Sequence, residues 1–361
     1  MNSPVFLILS GANERAVVAV CRTLSRQGRP FAILARGRDD PLWKTAYRHR
    51  ILAQRTSDAI DSEDILHGIE TVRRKLGRQK LLYLPTSESL NRLALQNRSR
   101  FSDACDRDLP MVDEAVYLAI SEKSSFLRLA AEAGLATPAR VARPTAGCLP
   151  IAAKPAKEFH PGSLVKLYPE LLFTQIDLDR FLLRPDAPYY FLQEFIAGQS
   201  YYGLFWFSGN GDATVLWQIN LAQQPNGKSI LAARLCPCPS KETEEALIAL
   251  LKGLKYYGFI MIEVIRRIGI DYVIEANPRI WGPFQLAIDG GFNPSFFAGD
   301  ECRNVGNIDA RYAWIGGMIH AGSDIRWYPH QKEAFLHDFR RYVCSDALLR
   351  RDSYRIALSK F

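Results

Sequence analysis

Apolar and polar positions alternate along the chain in two rhythms, and the changes of rhythm mark out its elements. Val5-Phe-Leu-Ile-Leu9 is a continuous apolar run, Ser10-Gly-Ala-Asn13 a turn, Glu14 to Gln27 an amphipathic stretch and Phe31-Ala-Ile-Leu-Ala35 a second apolar run. Strand, turn, helix and strand in that order predict the start of a βαβ layer. Helical periodicity from Ser62 stops at Gly77, and Lys80-Leu-Leu-Tyr-Leu84 reads as another buried strand. Pro85-Thr-Ser-Glu88 sits at that strand's carboxyl end, where ligands bind in open α/β sheets. Thr86 and Glu88 are therefore candidates for contact with a second substrate or, equally, for capping a helix over Ser89 to Asn97. The first turn holds only Gly11 rather than G-x-G-x-x-G, so no dinucleotide site is expected there.

Further along, a helix opening at Ser121-Glu-Lys123 carries Phe126, Leu129, Ala130 and Ala133 on one face and ends at Gly134 and Pro138. Leu149-Pro-Ile-Ala-Ala-Lys-Pro155 reads as a strand from which Lys154 emerges, and Tyr190-Phe-Leu-Gln-Glu-Phe-Ile196 as another. Tyr202 to Phe207 and Thr214 to Ile219, joined by Ser208-Gly-Asn-Gly-Asp212, form a hairpin. Ser240 caps a helix with acids at 242, 244 and 245 and leucines at 247, 250, 251 and 254. That helix is expected behind a second hairpin, formed by Phe259 to Val264 and Asp271 to Asn277.

The second hairpin concentrates the chemistry. Glu263 and Glu275 both lie inside apolar strands, where an unpaired charge is costly. Side chains alternate with period two, so a two-residue loop pairing 266 with 269 leaves the two carboxylates on opposite faces. A three-residue loop of Arg267, Ile268 and Gly269, with Gly269 left-handed, pairs 266 with 270 and brings both to one face. Two carboxylates and the Asn277 carbonyl then suit Mg²⁺, which leaves its other positions to water and phosphate. Arg279 adds a guanidinium fork for phosphate oxygens.

This run, Glu263 followed by Glu275-Ala-Asn277-Pro-Arg279 and Trp281-Gly-Pro-Phe-Gln-Leu-Ala-Ile-Asp-Gly-Gly291, resembles the metal-binding signature of the ATP-grasp superfamily. It is closest to the branch of ATP-dependent carboxylate-amine ligases that includes D-aspartate ligases. The resemblance covers residues 120 to 292 well and the N-terminal region loosely. It implies an α/β and α+β multidomain chain: a Rossmann-like pre-ATP-grasp domain over residues 1–118, a two-lobed ATP-grasp domain over 119–300 (lobes 119–190 and 191–300), and an extension over 301–361 that carries no signature.

The resemblance also implies site residues. Lys154, with Lys166 as a second candidate, takes the place of the lysine that binds ATP phosphates, and Lys123 or Arg128 can reach them from the entry helix. Gln193, Glu194 and the Ile196 main chain match the linker that reads adenine. Glu263, Glu275 and Asn277 match the ligands of two Mg²⁺ ions, and Arg279 with Arg234 the groups that stabilise an acyl phosphate. Two features depart from the pattern: Lys157-Glu-Phe-His-Pro-Gly-Ser163 has a single glycine where the phosphate lid is usually glycine-rich, and Gln199, Ser200 and Tyr201 stand where relatives place a ribose-binding carboxylate. His160 is a phosphate donor or a solvated loop histidine. The implied activity is amide or peptide bond formation from a small-molecule carboxylate and an amine, through an acyl phosphate, with ADP and phosphate released. An ATP-binding module without turnover is the alternative.

Composition narrows the setting. The 361 residues exceed one usual hydrophobic core, and 48% hydrophobic with 23% charged residues is ordinary for a folded chain. The formal charge of +8 is scattered, without a basic stripe or nucleic-acid motif, and Mg-ATP accounts for it as well as a polynucleotide does. Seven cysteines without repeating spacing do not make a disulfide framework, and Cys236-Pro-Cys238 has no second pair to complete a zinc site. No stretch approaches a membrane span and the first strand has no basic leader, so a cytoplasmic, membrane-free protein is expected. An oligomer is possible on these grounds.

Overall fold

A computed structural model of the chain describes residues 4–57, 59–157, 167–292 and 308–359. Lys166, His160 and most of the expected phosphate lid lie outside the described residues.

The N-terminal layer is a parallel sheet of β1 (Val5–Leu9), β2 (Phe31–Ala35), β3 (Ile51–Gln54) and β4 (Leu81–Leu84), in the order β3-β2-β1-β4. β1, β2 and β4 are continuous apolar runs because both their faces are covered, whereas the edge strand β3 is half-exposed and ends in Gln54. Phe6 and Ile8 pack under the helix Glu14–Arg26, whereas Val5, Leu7 and Leu9 meet Ile65, Ile69 and Val72 of the helix Ser62–Lys75. The helix that follows β4 spans Glu88–Gln96, and the entry helix Lys123–Glu132 is preceded by another, Glu114–Ser121, which the sequence pattern does not predict.

A small antiparallel sheet of β5 (Ile151–Pro155), β6 (Glu170–Leu172) and β7 (Tyr190–Glu194), ordered β6-β5-β7, forms a roof. Ile151, Ala153 and Leu172 bury themselves under the helix Gln175–Leu182, which leaves the alternate positions Ala152, Lys154 and Gln193 facing the other way. The large sheet beneath contains β8 (Gln199–Phe207), β9 (Ala213–Gln223), β10 (Ile230–Cys236), β11 (Gly258–Arg267), β12 (Ile270–Asn277), β13 (Arg311–Ala313) and β14 (Arg326–Trp327). Its order is β12-β11-β8-β9-β10-β13, with β14 added to β9. Residues expected as an extension thus supply strands of this sheet. The helix Lys241–Gly253 packs Leu247 and Leu251 against Ile262, Val264 and Val273 on its reverse face, with Ser240 accepting from the Thr243 amide at its start.

The β11–β12 hairpin corrects the loop expectation. Arg267 pairs with Ile270, so the loop is two residues, Ile268 and Gly269, at φ of 50° and 77°. Positive φ at both positions matches the hairpin turn whose twist suits its strands. In a regular hairpin this register would set Ile274 opposite Glu263. Instead the ladder slips between Glu263 and Val264: Val264 pairs with Val273, and Glu263 with Glu275. The carboxylates share a face because of this bulge, not because of the loop. Ile268 is almost fully exposed and β-branched at positive φ, an unfavourable combination. Ile268→Asn is accordingly expected to stabilise the protein by about 1 kcal/mol, and Gly269→Val to destabilise it by about as much. Neither should change Mg²⁺ dependence. Calorimetric melts beside a Mg²⁺ titration check this, and a Gly269→Val protein that melts normally yet loses its Mg²⁺ response would return the register to the loop.

The C-terminal residues close the molecule. Arg22 of the first helix pairs with Asp352 at 2.6 Å, donates to the Ser353 hydroxyl and Ala347 carbonyl, and bonds Gln285 of the helix Phe284–Asp289. Tyr47 donates to the same Asp352 carboxylate at 2.6 Å.

Candidate active-site cleft

The bulge shapes the floor of a cleft between roof and large sheet. Ile274 and Glu275 both turn into it, beside Glu263 and Ile265, while Val273 and Ala276 stay in the core behind. Lys154 comes down from the roof, buried, and donates to the main-chain carbonyl of Ile274 at 3.3 Å. Lys123, from the entry helix, pairs with Glu275 at 2.9 Å. Asn277 donates to the other Glu275 oxygen at 3.1 Å, and its own carbonyl accepts from Arg279 at 3.3 Å. The turn that carries Arg279 is tied to the N-terminal layer: the Ile280 amide donates to the Pro85 carbonyl at 2.9 Å, and Asn13 donates to the carbonyls of Ile280 and Thr86.

Electrostatics follow from this crowding. Burial pushes the Lys154 ammonium down to about 8, against the attraction of Glu275. Burial alone would raise the Glu275 carboxyl, but the charges of Lys123 and Lys154, with hydrogen bonds from Lys123 and Asn277, hold it well below the usual carboxylate range. Glu263 goes the other way, raised by burial and then by Glu275. Its carboxylate is fixed from below by a chain of fully buried side chains: Ser200 donates to Glu263 at 2.9 Å, Asn220 to Ser200 at 2.7 Å, and Gln218 to Asn220 at 2.6 Å. No three His, Cys, Asp or Glu side chains form a closed cage among the described residues. Two carboxylates and an amide open to one side fit Mg²⁺, which keeps positions for phosphate.

Beside the carboxylates lies a slot with Ala152, Lys154, Leu171 and Gln193 above and Ile196, Ile265 and Ile274 below. The Gln193 carbonyl oxygen is buried with no hydrogen-bond partner among the described residues. Glu194 also lines the slot; its side chain pairs with Arg267 at 2.7 Å and its amide donates to the Ala139 carbonyl at 2.8 Å. Next to the slot, on the other side of the carboxylates, a larger cavity of about 480 Å³ opens toward the N-terminal layer, lined by Arg15, Ser87, Glu88, Lys123, Lys228 and Arg279 among others.

Most of the sequence candidates meet here: Lys154, Gln193, Ile196, Glu263, Glu275, Asn277 and Arg279 border one continuous cleft. Arg234 does not. Along β10 the register shifts between Ile230 and Ala233, so Ile230, Ala233 and Leu235 join the cleft-side core and Arg234, paired with Ile219 and Arg311, projects from the opposite face. Of the two entry-helix cations, Lys123 is in the cleft and Arg128 pairs with Glu132 on the surface. Thr86 donates to the Leu9 carbonyl, and Glu88 accepts from Arg92 and Tyr117 at the cavity wall without capping its helix. Arg15, missed in the sequence, donates to Tyr312 at 2.7 Å, Ser229 at 3.0 Å and the Ile230 carbonyl, under Trp314. Arg326 and Tyr328 of the C-terminal part also line the slot. No local pattern marks any of these three.

No family model matches the sequence, and no curated protein matches it. Solved structures do. N5-carboxyaminoimidazole ribonucleotide synthetase from Thermus thermophilus is 14% identical with a TM-score of 0.60, over 84% of this chain and 80% of that one. The biotin carboxylase domain of Hydrogenobacter thermophilus 2-oxoglutarate carboxylase, in complex with MgADP, ADP and bicarbonate, is 12% identical with a TM-score of 0.61, over 86% and 73%. L-amino acid ligase from Bacillus licheniformis is 14% identical with a TM-score of 0.56, over 82% and 73%. At these identities the likeness is one of fold. No helix among the described residues is long and apolar enough to cross a membrane.

Proposed function

We propose that this chain, whose fold is the ATP-grasp fold, is an ATP-dependent carboxylate-amine ligase that forms an amide or peptide bond. The observation that carries the reading is the joining of a slot walled by Ala152, Leu171, Ile196, Ile265 and Ile274 to a paired Glu263 and Glu275, flanked by Lys154, Lys123 and Arg279 and opening onto a second cavity. A nucleotide in the slot points its phosphates at the lysines and leaves the 480 Å³ cavity for the acid and amine.

Glu263, Glu275 and Asn277 are the residues that would hold Mg²⁺, one or two ions, which supply charge neutralisation at the phosphates. Lys154 and Lys123 grip the phosphate oxygens. An oxygen of the substrate carboxylate bonds to the γ-phosphorus as the bond to ADP breaks, giving an acyl phosphate. The amine nitrogen then attacks the acyl carbon, the bond to phosphate breaks, and the ammonium proton is released. Arg279, which lines the cavity while donating to the Ile280 carbonyl and the Asn277 side chain, steadies the oxyanion formed in that attack. Arg234 has no part, since it lies on the opposite face of β10.

A screen of amino acids and small acids for ATP-dependent phosphate release tests the reading, with hydroxylamine added to trap the acyl phosphate as a hydroxamate. Phosphate and ADP in equal amounts, with hydroxamate formed from one acid, are expected. AMP and pyrophosphate as products would refute the mechanism. Tight Mg-ADP binding without phosphate release from any acid would make the chain a nucleotide-binding module.

A further inference from the structure

Among the described residues, the chain just after the β7 strand offers the sugar of a nucleotide in the slot no free side chain. Gln199, Ser200 and Tyr201 follow the linker, and each is otherwise engaged. Gln199 donates to the carbonyls of Ser200 and Asn220 and accepts from Gln331, Ser200 is bonded to Glu263, and Tyr201 packs on the reverse side of the sheet. The acids that line the slot are Glu194, held by Arg267, and the two carboxylates of the metal site. Among the described residues, no other acid lines the slot to accept from ribose hydroxyls.

Arg326 stands in that gap. It enters on β14, paired with Gln223 at the end of β9, and it is half-buried. Its guanidinium lies over the ring of Phe195, 5.0 Å from the centroid, and near that of Tyr328 at 5.4 Å. Tyr328 is itself fixed by donating to Gln223 at 2.7 Å. Two aromatic faces hold the plane of the guanidinium and leave its N–H edge for other partners. Arg326 forms no ion pair among the described residues, although three carboxylates line the same slot. Phe195 adjoins Ile196 at the base end, and the Arg326 charge is felt by Glu263 at the phosphate end. The sugar of a nucleotide whose base and phosphates occupy those ends must pass Arg326.

We infer that Arg326 is the ribose-reading residue of the nucleotide site, donating to the 2′- and 3′-hydroxyl oxygens from a C-terminal strand. The inference rests on the proposed nucleotide site. It makes the segment after residue 308 part of that site, and it replaces a carboxylate that accepts from the hydroxyls with a guanidinium that donates to them. A hydrogen bond to a charged group is strong enough for such a contact to govern selectivity for ribose.

Titration calorimetry of the full chain with ADP and with 2′,3′-dideoxy-ADP, both with Mg²⁺, tests this. The wild type is expected to bind ADP about tenfold more tightly than the dideoxy nucleotide. Arg326→Ala should lose about that factor for ADP and nothing for the dideoxy nucleotide, so that the preference disappears. Arg326→Lys, which keeps the charge but not the fork, should recover only part of it, and a thermal melt of each variant separates misfolding from lost contact. Unchanged ADP affinity in both variants overturns the assignment. So does an equal loss for the two nucleotides, which would place Arg326 on phosphate. Lys154→Ala in the same series keeps the two readings apart: if it leaves ADP binding intact, the nucleotide site itself is wrong, whereas a Lys154-dependent site with no role for Arg326 sinks only the ribose assignment.

Discussion

Glu275→Gln should reduce ADP formation at least a hundredfold while the protein keeps a cooperative melt. The amide preserves the side chain's shape, so the bulge that turns residue 275 into the cleft has no reason to relax. What disappears is the charge that Lys123 contacts at 2.9 Å and that Lys154 faces from the roof. Lys123 is one quarter exposed and can turn to water when its partner is lost. The stability change is therefore expected near 1 kcal/mol. Mg²⁺ has no such alternative: with one carboxylate gone the site keeps Glu263 and two amides, too little charge for a hard divalent cation beside phosphate. Protection of the fold by Mg-ADP should fall in parallel with turnover. Assays of ADP formation across a Mg²⁺ series, run beside calorimetric melts, check both halves. Wild-type turnover at saturating Mg²⁺ would remove Glu275 from the proposed metal site.

The contrast between Glu275 and Arg234 shows what the sequence can carry. Glu263 to Arg279 is nearly contiguous, and charges set into an apolar strand stand out because burying them unpaired is costly. Parity demanded an irregularity somewhere in the hairpin. It did not say which, since a longer loop and a bulge bring the carboxylates to one face equally well, and the bulge at Ile274 has no residue signature. On β10 an irregularity of the same kind misleads. Resemblance places Arg234 in the site, but the register shift between Ile230 and Ala233, which no residue type announces, puts it on the other face of β10. Arg15 and Tyr312 are separated by 297 positions. Their meeting, like that of Arg326 with Phe195, is decided by which strand edges β13 and β14 join, and short strands of two or three residues leave no periodicity to read.

Lys154→Ala should produce two effects of opposite sign. In the free protein the Lys154 ammonium lies buried between roof and floor, drawn to Glu275 and Glu263 and bonded to the Ile274 carbonyl. It neutralises the carboxylates before any nucleotide arrives. Nucleotide affinity should fall at least tenfold in the variant, about 1.4 kcal/mol or more, because a compact cation in a dry site is lost from the phosphates. Mg²⁺ or Mn²⁺ affinity of the nucleotide-free protein should rise instead. The two glutamates then keep Lys123 and the more distant Arg326 as counter-charges, and the cation buried between them has gone. A lysine that merely fills the roof would give a different pattern: loss of stability, with nucleotide and metal affinities changed together or not at all. Calorimetric titration of ADP in excess Mg²⁺, and of Mn²⁺ alone, separates the two. Unchanged ADP affinity, or weaker Mn²⁺ binding to the free variant, would show that Lys154 does not mediate between the carboxylates and the phosphates.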